Sequence, residues 1–125
     1  MSAPIPLLLV DDNVSNLTVL SAVLEDEGFV VAAARTVEEA RGIVRSGEPL
    51  KAIIVDRHLG SQDGIVFAAE CRVEFPSASI FIYSGDLPEA ARMEGIDGWL
   101  VKGTSIDDLV ERVRGAVKSR DSATS

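Results

Sequence analysis

The sequence is poor in the residues that several classes of protein need. Cys71 is the only cysteine in 125 residues, so no disulfide can form within the chain. No apolar run approaches the roughly 20 residues that a membrane-spanning helix needs. Residues 1–6 lack the basic and long apolar regions of a signal peptide. We therefore expect a soluble protein of the cytoplasm that has no membrane partner.

Basic residues are also in the minority. The chain has 12 Lys and Arg against 20 Asp and Glu, which gives a formal net charge of -8. Direct binding to nucleic acid depends on clustered positive charge, so no nucleic-acid partner is expected. A cation or another protein is the expected partner, and 125 residues correspond to one domain.

Short apolar runs that end on a polar residue are the main feature of the sequence. Four of them cover residues 7–12, 52–56, 80–84 and 99–102, and a fifth apolar run covers residues 29–33. Helical spacing and capping signals lie between and after them, at residues 14–27, 36–46, 65–74, 88–94 and 105–117. This alternation predicts an α/β fold in which one five-stranded parallel sheet has helices on both faces.

The polar residues at the ends of the runs predict a site at one edge of that sheet. Asp11, Asp12, Asp56, Ser84 and Lys102 would emerge together, where open α/β folds bind their ligands. Two like charges ~4 Å apart repel by about 4 kcal/mol at an effective dielectric near 20. Three carboxylates and one lysine leave a formal local charge of -2, which a divalent cation would neutralise. Oxygen ligands favour Mg²⁺, and a carboxylate beside Mg²⁺ is a competent nucleophile toward phosphorus.

On these residues the chain resembles the receiver domain of two-component response regulators over almost its whole length. The resemblance implies a flavodoxin-like (βα)5 fold with strand order 2-1-3-4-5. It implies that Asp56 is the phosphoacceptor. It also implies that Asp11, Asp12, Asp56 and the backbone carbonyl of His58 bind Mg²⁺, with Mn²⁺ as a substitute. The stretch that begins at Leu9 is similar to receivers attached to hybrid histidine kinases.

The resemblance also implies a switch. Lys102 and Ser84 would stabilise the phosphoryl group, and Ser84 would move toward it while Trp99 turns inward. Gly85 resembles the small residue that leaves the group accessible. His58 and Asp86, each two residues beyond a functional group, would modulate the access of water.

The implied partners are proteins. A histidine kinase or a histidine phosphotransfer protein would donate the phosphoryl group. A downstream protein would bind the face made by the fourth helix, fifth strand and fifth helix. The chain would catalyse only its own phosphorylation and dephosphorylation. The receiver would span residues 1–118, and residues 119–125 would form a flexible tail.

Three departures from the family pattern leave other functions open. Gly103 follows the lysine where the family usually has a cis proline, Gly60 replaces a proline, and Trp99 is larger than the usual tyrosine or phenylalanine. The first alternative is therefore a receiver-like interaction module that does not switch. A Mg²⁺-dependent aspartyl-phosphate phosphatase would need a second acid at His58. A flavin binder would need a phosphate loop rich in Ser, Thr and Gly at Asp12.

Overall fold

The computed structural model describes residues 4–86 and 95–124. Its main strands are β1 (Ile5–Val10), β2 (Phe29–Ala34), β3 (Ala52–Asp56), β6 (Ser79–Ser84) and β7 (Gly98–Val101), and the two-residue strands β4 (His58–Leu59) and β5 (Gln62–Asp63) form a separate antiparallel ladder. The main sheet is parallel, with the order β2-β1-β3-β6-β7. This is the predicted order 2-1-3-4-5 when the two short strands are left out, so the predicted fold is confirmed.

Four helices occur within the described ranges: α1 (Val14–Asp26), α2 (Val37–Arg45), α3 (Gly64–Glu74) and α4 (Ile106–Thr124). The Thr36 hydroxyl accepts the Glu39 N–H at 3.1 Å. The Glu39 carboxylate accepts the Arg35 N–H at 2.7 Å, so the predicted cap begins α2. The helix predicted for residues 88–94 lies outside the described residues. No helix in the described ranges is long and apolar enough to cross a membrane.

The last helix continues beyond residue 118, where the sequence placed the end of the domain. Its backbone is helical to Thr124. Arg120 forms an ion pair with Asp97, and Lys51 Nζ lies 3.1 Å from Asp121 Oδ2. The sequence indicated a tail because residues 119–125 have almost no apolar side chains, whereas polar side chains make the contacts here.

The core lies on both faces of the sheet, and successive residues of a strand alternate between the faces. One cluster packs against α1 and α4. The buried residues that the sheet contributes to it are Leu7, Leu9, Phe29, Ala52, Ile54, Phe81 and Leu100. The other cluster packs against α2 and α3. The buried residues that the sheet contributes to it are Leu8, Val10, Ala34, Ile53, Val55, Ile80, Ile82 and Trp99. Both faces are therefore apolar, which explains why the strands are nearly continuous hydrophobic runs.

Candidate functional site

The carboxyl ends of β1 and β3 bring three carboxylates together. Asp11, Asp12 and Asp56 each offer an oxygen, and these oxygens all lie within 4.8 Å of one another. Asp11 and Asp56 are only 1% and 3% exposed, whereas Asp12 is exposed. The parallel register explains the meeting, because Val10 pairs with Val55 and the two strands end side by side.

Asp11 is the least satisfied member of this cluster. Its Oδ1 accepts the backbone N–H of Asn13 at 2.9 Å, but its Oδ2 is buried and has no hydrogen-bond partner among the described residues. Burial raises the pKa of Asp11 to about 6; the Asn13 N–H opposes this shift and the Asp56 charge adds to it. A buried carboxylate oxygen without a donor, beside two further carboxylates, fits a hard divalent cation such as Mg²⁺.

The carboxylate of Asp56 is held from two sides. Its Oδ2 accepts a hydrogen bond from Lys102 Nζ at 3.2 Å, and its Oδ1 accepts the backbone N–H of His58 at 3.2 Å. The backbone N–H of Lys102 in turn donates to the Ser84 carbonyl at 2.7 Å. The ends of β3, β6 and β7 are therefore connected around one buried carboxylate.

The loop after β6 places the predicted access residues beside one another. Ser84 is fully buried, and its hydroxyl accepts the Asp86 N–H at 3.0 Å. His58 Nε2 lies 3.4 Å from Asp86 Oδ2. A Cβ atom at Gly85 would meet no atom within 4 Å, so the space beside this residue is open.

Trp99 already points inward, with 4% of its surface exposed. Its indole N–H donates to the Asp86 carbonyl at 2.9 Å. The Arg57 guanidinium lies over the ring, 5.4 Å from its centroid, and Arg57 Nη1 is 4.0 Å from Asp86 Oδ2. The structure therefore has Trp99 in the inward position, buried and with its N–H bonded, that the sequence predicts for it after modification.

Both loop glycines that replace family prolines adopt the left-handed conformation. Gly103 has φ +94° and Gly60 has φ +65°, a region that glycine enters without the steric cost of a side chain. No peptide bond in the described ranges is cis, so the Lys102–Gly103 bond is trans. The Gly60 N–H donates to Asp12 Oδ2 at 3.2 Å, which ties its loop to the acidic cluster.

Two residues at the site were not singled out from the sequence. Arg57 covers Trp99, and the ring of Tyr83 lies beneath Lys102 Nζ, which is 5.3 Å from its centroid. Each directly adjoins a predicted functional residue in the chain, Asp56 or Ser84. Their position next to these residues in the sequence could have indicated Arg57 and Tyr83. Only the strand register, however, shows which face of the sheet each side chain occupies.

Comparison with known proteins identifies the family. Residues 7–114 match the model of the response regulator receiver domain, and the chain belongs to this family. It is 27% identical over 119 residues to the transcriptional regulatory protein AruR of Pseudomonas aeruginosa, an alignment that covers 89% of this chain and 48% of AruR. The chain spans about half or less of the length of the curated relatives it matches.

Solved structures share the fold. A CheY-like receiver domain protein from Methanospirillum hungatei superposes with a TM-score of 0.89 at 20% identity, over 97% of this chain and 99% of that one. The response regulator TrrA of Thermotoga maritima, in complex with Mg²⁺ and BeF, has a TM-score of 0.81 at 25% identity, over 90% of this chain and 98% of that one. The site therefore lies in a signalling receiver of the two-component type.

Proposed function

We propose that this receiver accepts a phosphoryl group from a phosphohistidine of a histidine kinase or a histidine phosphotransfer protein and holds it on Asp56. The observation that carries the proposal is the environment of Asp56. Its carboxylate is buried at the end of the central strand, accepts a hydrogen bond from Lys102 and lies in one cluster with Asp11 and Asp12.

In the proposed transfer, an oxygen of the Asp56 carboxylate bonds to phosphorus while the bond from phosphorus to the donor imidazole breaks. The imidazole nitrogen keeps the electron pair and takes a proton from water. The Lys102 ammonium donates to Asp56 in the free protein and would donate to a phosphoryl oxygen in the product. The Ser84 hydroxyl would give that group a second hydrogen bond. Such donors stabilise charge that develops during phosphoryl transfer.

Asp11, Asp12, Asp56 and the carbonyl of His58 would hold Mg²⁺, with Mn²⁺ as a substitute. The unpartnered Oδ2 of Asp11 and the three clustered carboxylates support this assignment. The ion would neutralise the negative charge shared by the carboxylates and the phosphoryl oxygens. The acidic pair would keep a cation at the site before the donor arrives.

Hydrolysis of the aspartyl phosphate would return the protein to its first state, so the chain would catalyse only its own modification and its reversal. His58 and Asp86 contact each other at the edge of the site and would control the approach of water. We expect His58→Ala and Asp86→Ala to change the decay rate of the phospho-form, measured by the loss of its added mass. Unchanged decay in both variants would show that these are loop residues without this role.

The signal would leave through a protein contact in the cytoplasm. The proposed surface combines β7, α4 and the segment predicted as the fourth helix, which lies outside the described residues. A downstream protein would bind this surface more tightly or less tightly after modification.

Trp99 favours a second candidate, an interaction module that does not switch. Its burial and its hydrogen bond to the Asp86 carbonyl are contacts that would oppose a rotation of the side chain. A stable phospho-form that binds its partner with unchanged affinity would support this alternative.

The test of the proposed function is the intact mass after incubation with acetyl phosphate and Mg²⁺. We expect the mass of one added phosphoryl group in the wild type and in the control variant Asp26→Asn, which changes an exposed residue at the end of α1. Asp56→Asn and treatment with EDTA should abolish the addition. An unchanged yield in Asp56→Asn would refute the assignment.

A further inference from the structure

Tyr83 stands beside the proposed phosphoacceptor in the sheet. Its backbone pairs in register with Asp56 of β3 on one side and with Leu100 of β7 on the other. Residues paired side by side in a parallel sheet project to the same face. Tyr83 is accordingly half-buried at the margin of the core cluster that packs against α1 and α4.

The ring of Tyr83 and the carboxylate of Asp56 contact the same ammonium group. Lys102 Nζ lies 5.3 Å from the ring centroid and 3.2 Å from Asp56 Oδ2. A cation within about 6 Å of an aromatic centroid is attracted to the ring face. The ammonium is therefore held by the phosphoacceptor and by the aromatic ring together.

The phenol contributes its ring face and no negative charge. Burial raises the pKa of Tyr83, the Lys102 charge opposes that shift, and the charges of Asp11 and Asp56 add to it. The side chain is thus neutral at physiological pH, and its contact with Lys102 is not an ion pair.

The chain around Lys102 explains why a second contact matters. Gly103 follows it in the left-handed conformation and in a trans peptide, so no proline ring stiffens the backbone there. The lysine stem is long and flexible, and its side chain is 31% exposed. The Tyr83 ring restricts the positions that the ammonium can take beside Asp56.

We propose that Tyr83 is a positioning residue for phosphorylation, whose ring face holds the Lys102 ammonium where it meets the phosphoryl group on Asp56. The inference rests on the proposed function and adds a residue to it. In this role Tyr83 would act through Lys102 and would touch neither the donor nor the transferred group.

The first test compares the initial rate of phosphorylation by acetyl phosphate in Tyr83→Leu and Tyr83→Phe. Leucine removes the aromatic face, and we expect the rate to fall by about threefold to thirtyfold, the range that cation–π energies give. Phenylalanine keeps the face and should restore a rate within about twofold of the wild type. Equal rates in all three proteins would overturn the inference.

The second test separates a cation–π contact from simple packing. Phenylalanine with one, two and three ring fluorines is inserted at position 83, since fluorine withdraws charge from the ring face with little change in shape. The logarithm of the rate should fall steadily with each fluorine, and the dependence should vanish in Lys102→Met, whose low residual rate is measured in the same way. Rates that do not vary with fluorination would assign Tyr83 to packing alone.

A third measurement does not depend on phosphorylation. A ring beneath the ammonium shifts the ε-methylene protons of Lys102 upfield in the NMR spectrum, and Tyr83→Leu should remove that shift. No such shift in the wild type would overturn the contact even if Asp56 is labelled normally. Failure to label Asp56 in the wild type would instead overturn the proposed function, and this role of Tyr83 with it.

Discussion

At the scale of single residues, the alternation of side chains along the strands divides the site into two rows. Asp56 and Tyr83 are paired in register and share the face that packs against α1 and α4. The next residues, Arg57 and Ser84, belong to the opposite face, where Arg57 covers Trp99. The first row holds the carboxylates of Asp11 and Asp56 and the Lys102 ammonium, and the second holds the Ser84 hydroxyl and the Trp99 indole.

The acidic pair yields the first prediction, made for Asp11→Asn combined with Asp12→Asn. We expect this variant to lose most of its Mg²⁺ affinity in isothermal titration, because two of three clustered carboxylates are removed. The metal-free variant should also be more stable than the wild type by about 1–3 kcal/mol, since Asn at position 11 removes a buried charge whose Oδ2 has no hydrogen-bond partner among the described residues. Urea unfolding in EDTA measures this difference. Equal Mg²⁺ affinity in both proteins would show that the pair is not the metal site.

Gly64 is the subject of the second prediction. A Cβ atom at this position would lie 2.0 Å from the carbonyl oxygen of Asp56, so Gly64→Ala must displace the backbone of the phosphoacceptor. We expect lower stability and slower phosphorylation by acetyl phosphate. The control is Gly42→Ala in α2, where a Cβ meets nothing within 4 Å and where alanine should add about 1 kcal/mol of helix stability. Equal labelling rates in the two variants would contradict the steric account.

At the scale of elements, Trp99 connects β7 to the loop after β6. Because it is buried and bonded to the Asp86 carbonyl, we expect weak acrylamide quenching of its fluorescence in the unmodified protein. Mg²⁺ with beryllofluoride should change that quenching little. Arg57→Met should increase it, since the guanidinium no longer covers the ring. A large fall in quenching upon addition of beryllofluoride would instead show that Trp99 turns inward on modification.

Elements differ in how far the sequence predicts them. The sheet, its order and the meeting of Asp11, Asp12 and Asp56 were predictable, because polar residues at the ends of parallel strands share one edge. The positions of Tyr83 and Trp99 were not, since they depend on strand register and on the backbone of one loop. The part of α4 beyond residue 118 has no apolar stripe by which it could be predicted, because polar contacts hold it.

At the scale of the whole molecule, Asp97 joins distant parts of the fold at the sheet edge opposite the site. Its carboxylate accepts the Ile80 N–H at 2.7 Å and pairs with Arg72 of α3 and Arg120 of α4. Burial alone would raise the pKa of Asp97, but the Ile80 N–H and the two arginines outweigh it and lower the pKa below the usual value. The ionised form therefore stabilises the fold.

Asp97→Asn yields a pH-dependent prediction. We expect it to destabilise the protein by about 1.5–3 kcal/mol at neutral pH, the usual range for hydrogen bonds to a charged group. A carboxyl group whose pKa is lower in the folded than in the unfolded state stabilises the fold at any pH above the unfolded pKa of about 4. This stabilisation is lost as the pH falls through the folded pKa. The difference in the free energy of unfolding between Asp97→Asn and the wild type, measured by urea unfolding, should thus shrink as the pH is lowered below about 4. The exposed Glu111→Gln on α4 is the control, and a difference that is constant with pH would contradict the account.

The central claim is that Asp56 carries the phosphoryl group, and reductive trapping tests it most directly. Borohydride converts an aspartyl phosphate to homoserine, and peptide mass spectrometry then locates the altered residue. After incubation with acetyl phosphate and Mg²⁺, we expect homoserine at position 56 and at no other aspartate. Homoserine at Asp11 or Asp12, or an unaltered Asp56 in protein whose intact mass shows phosphorylation, would contradict the account.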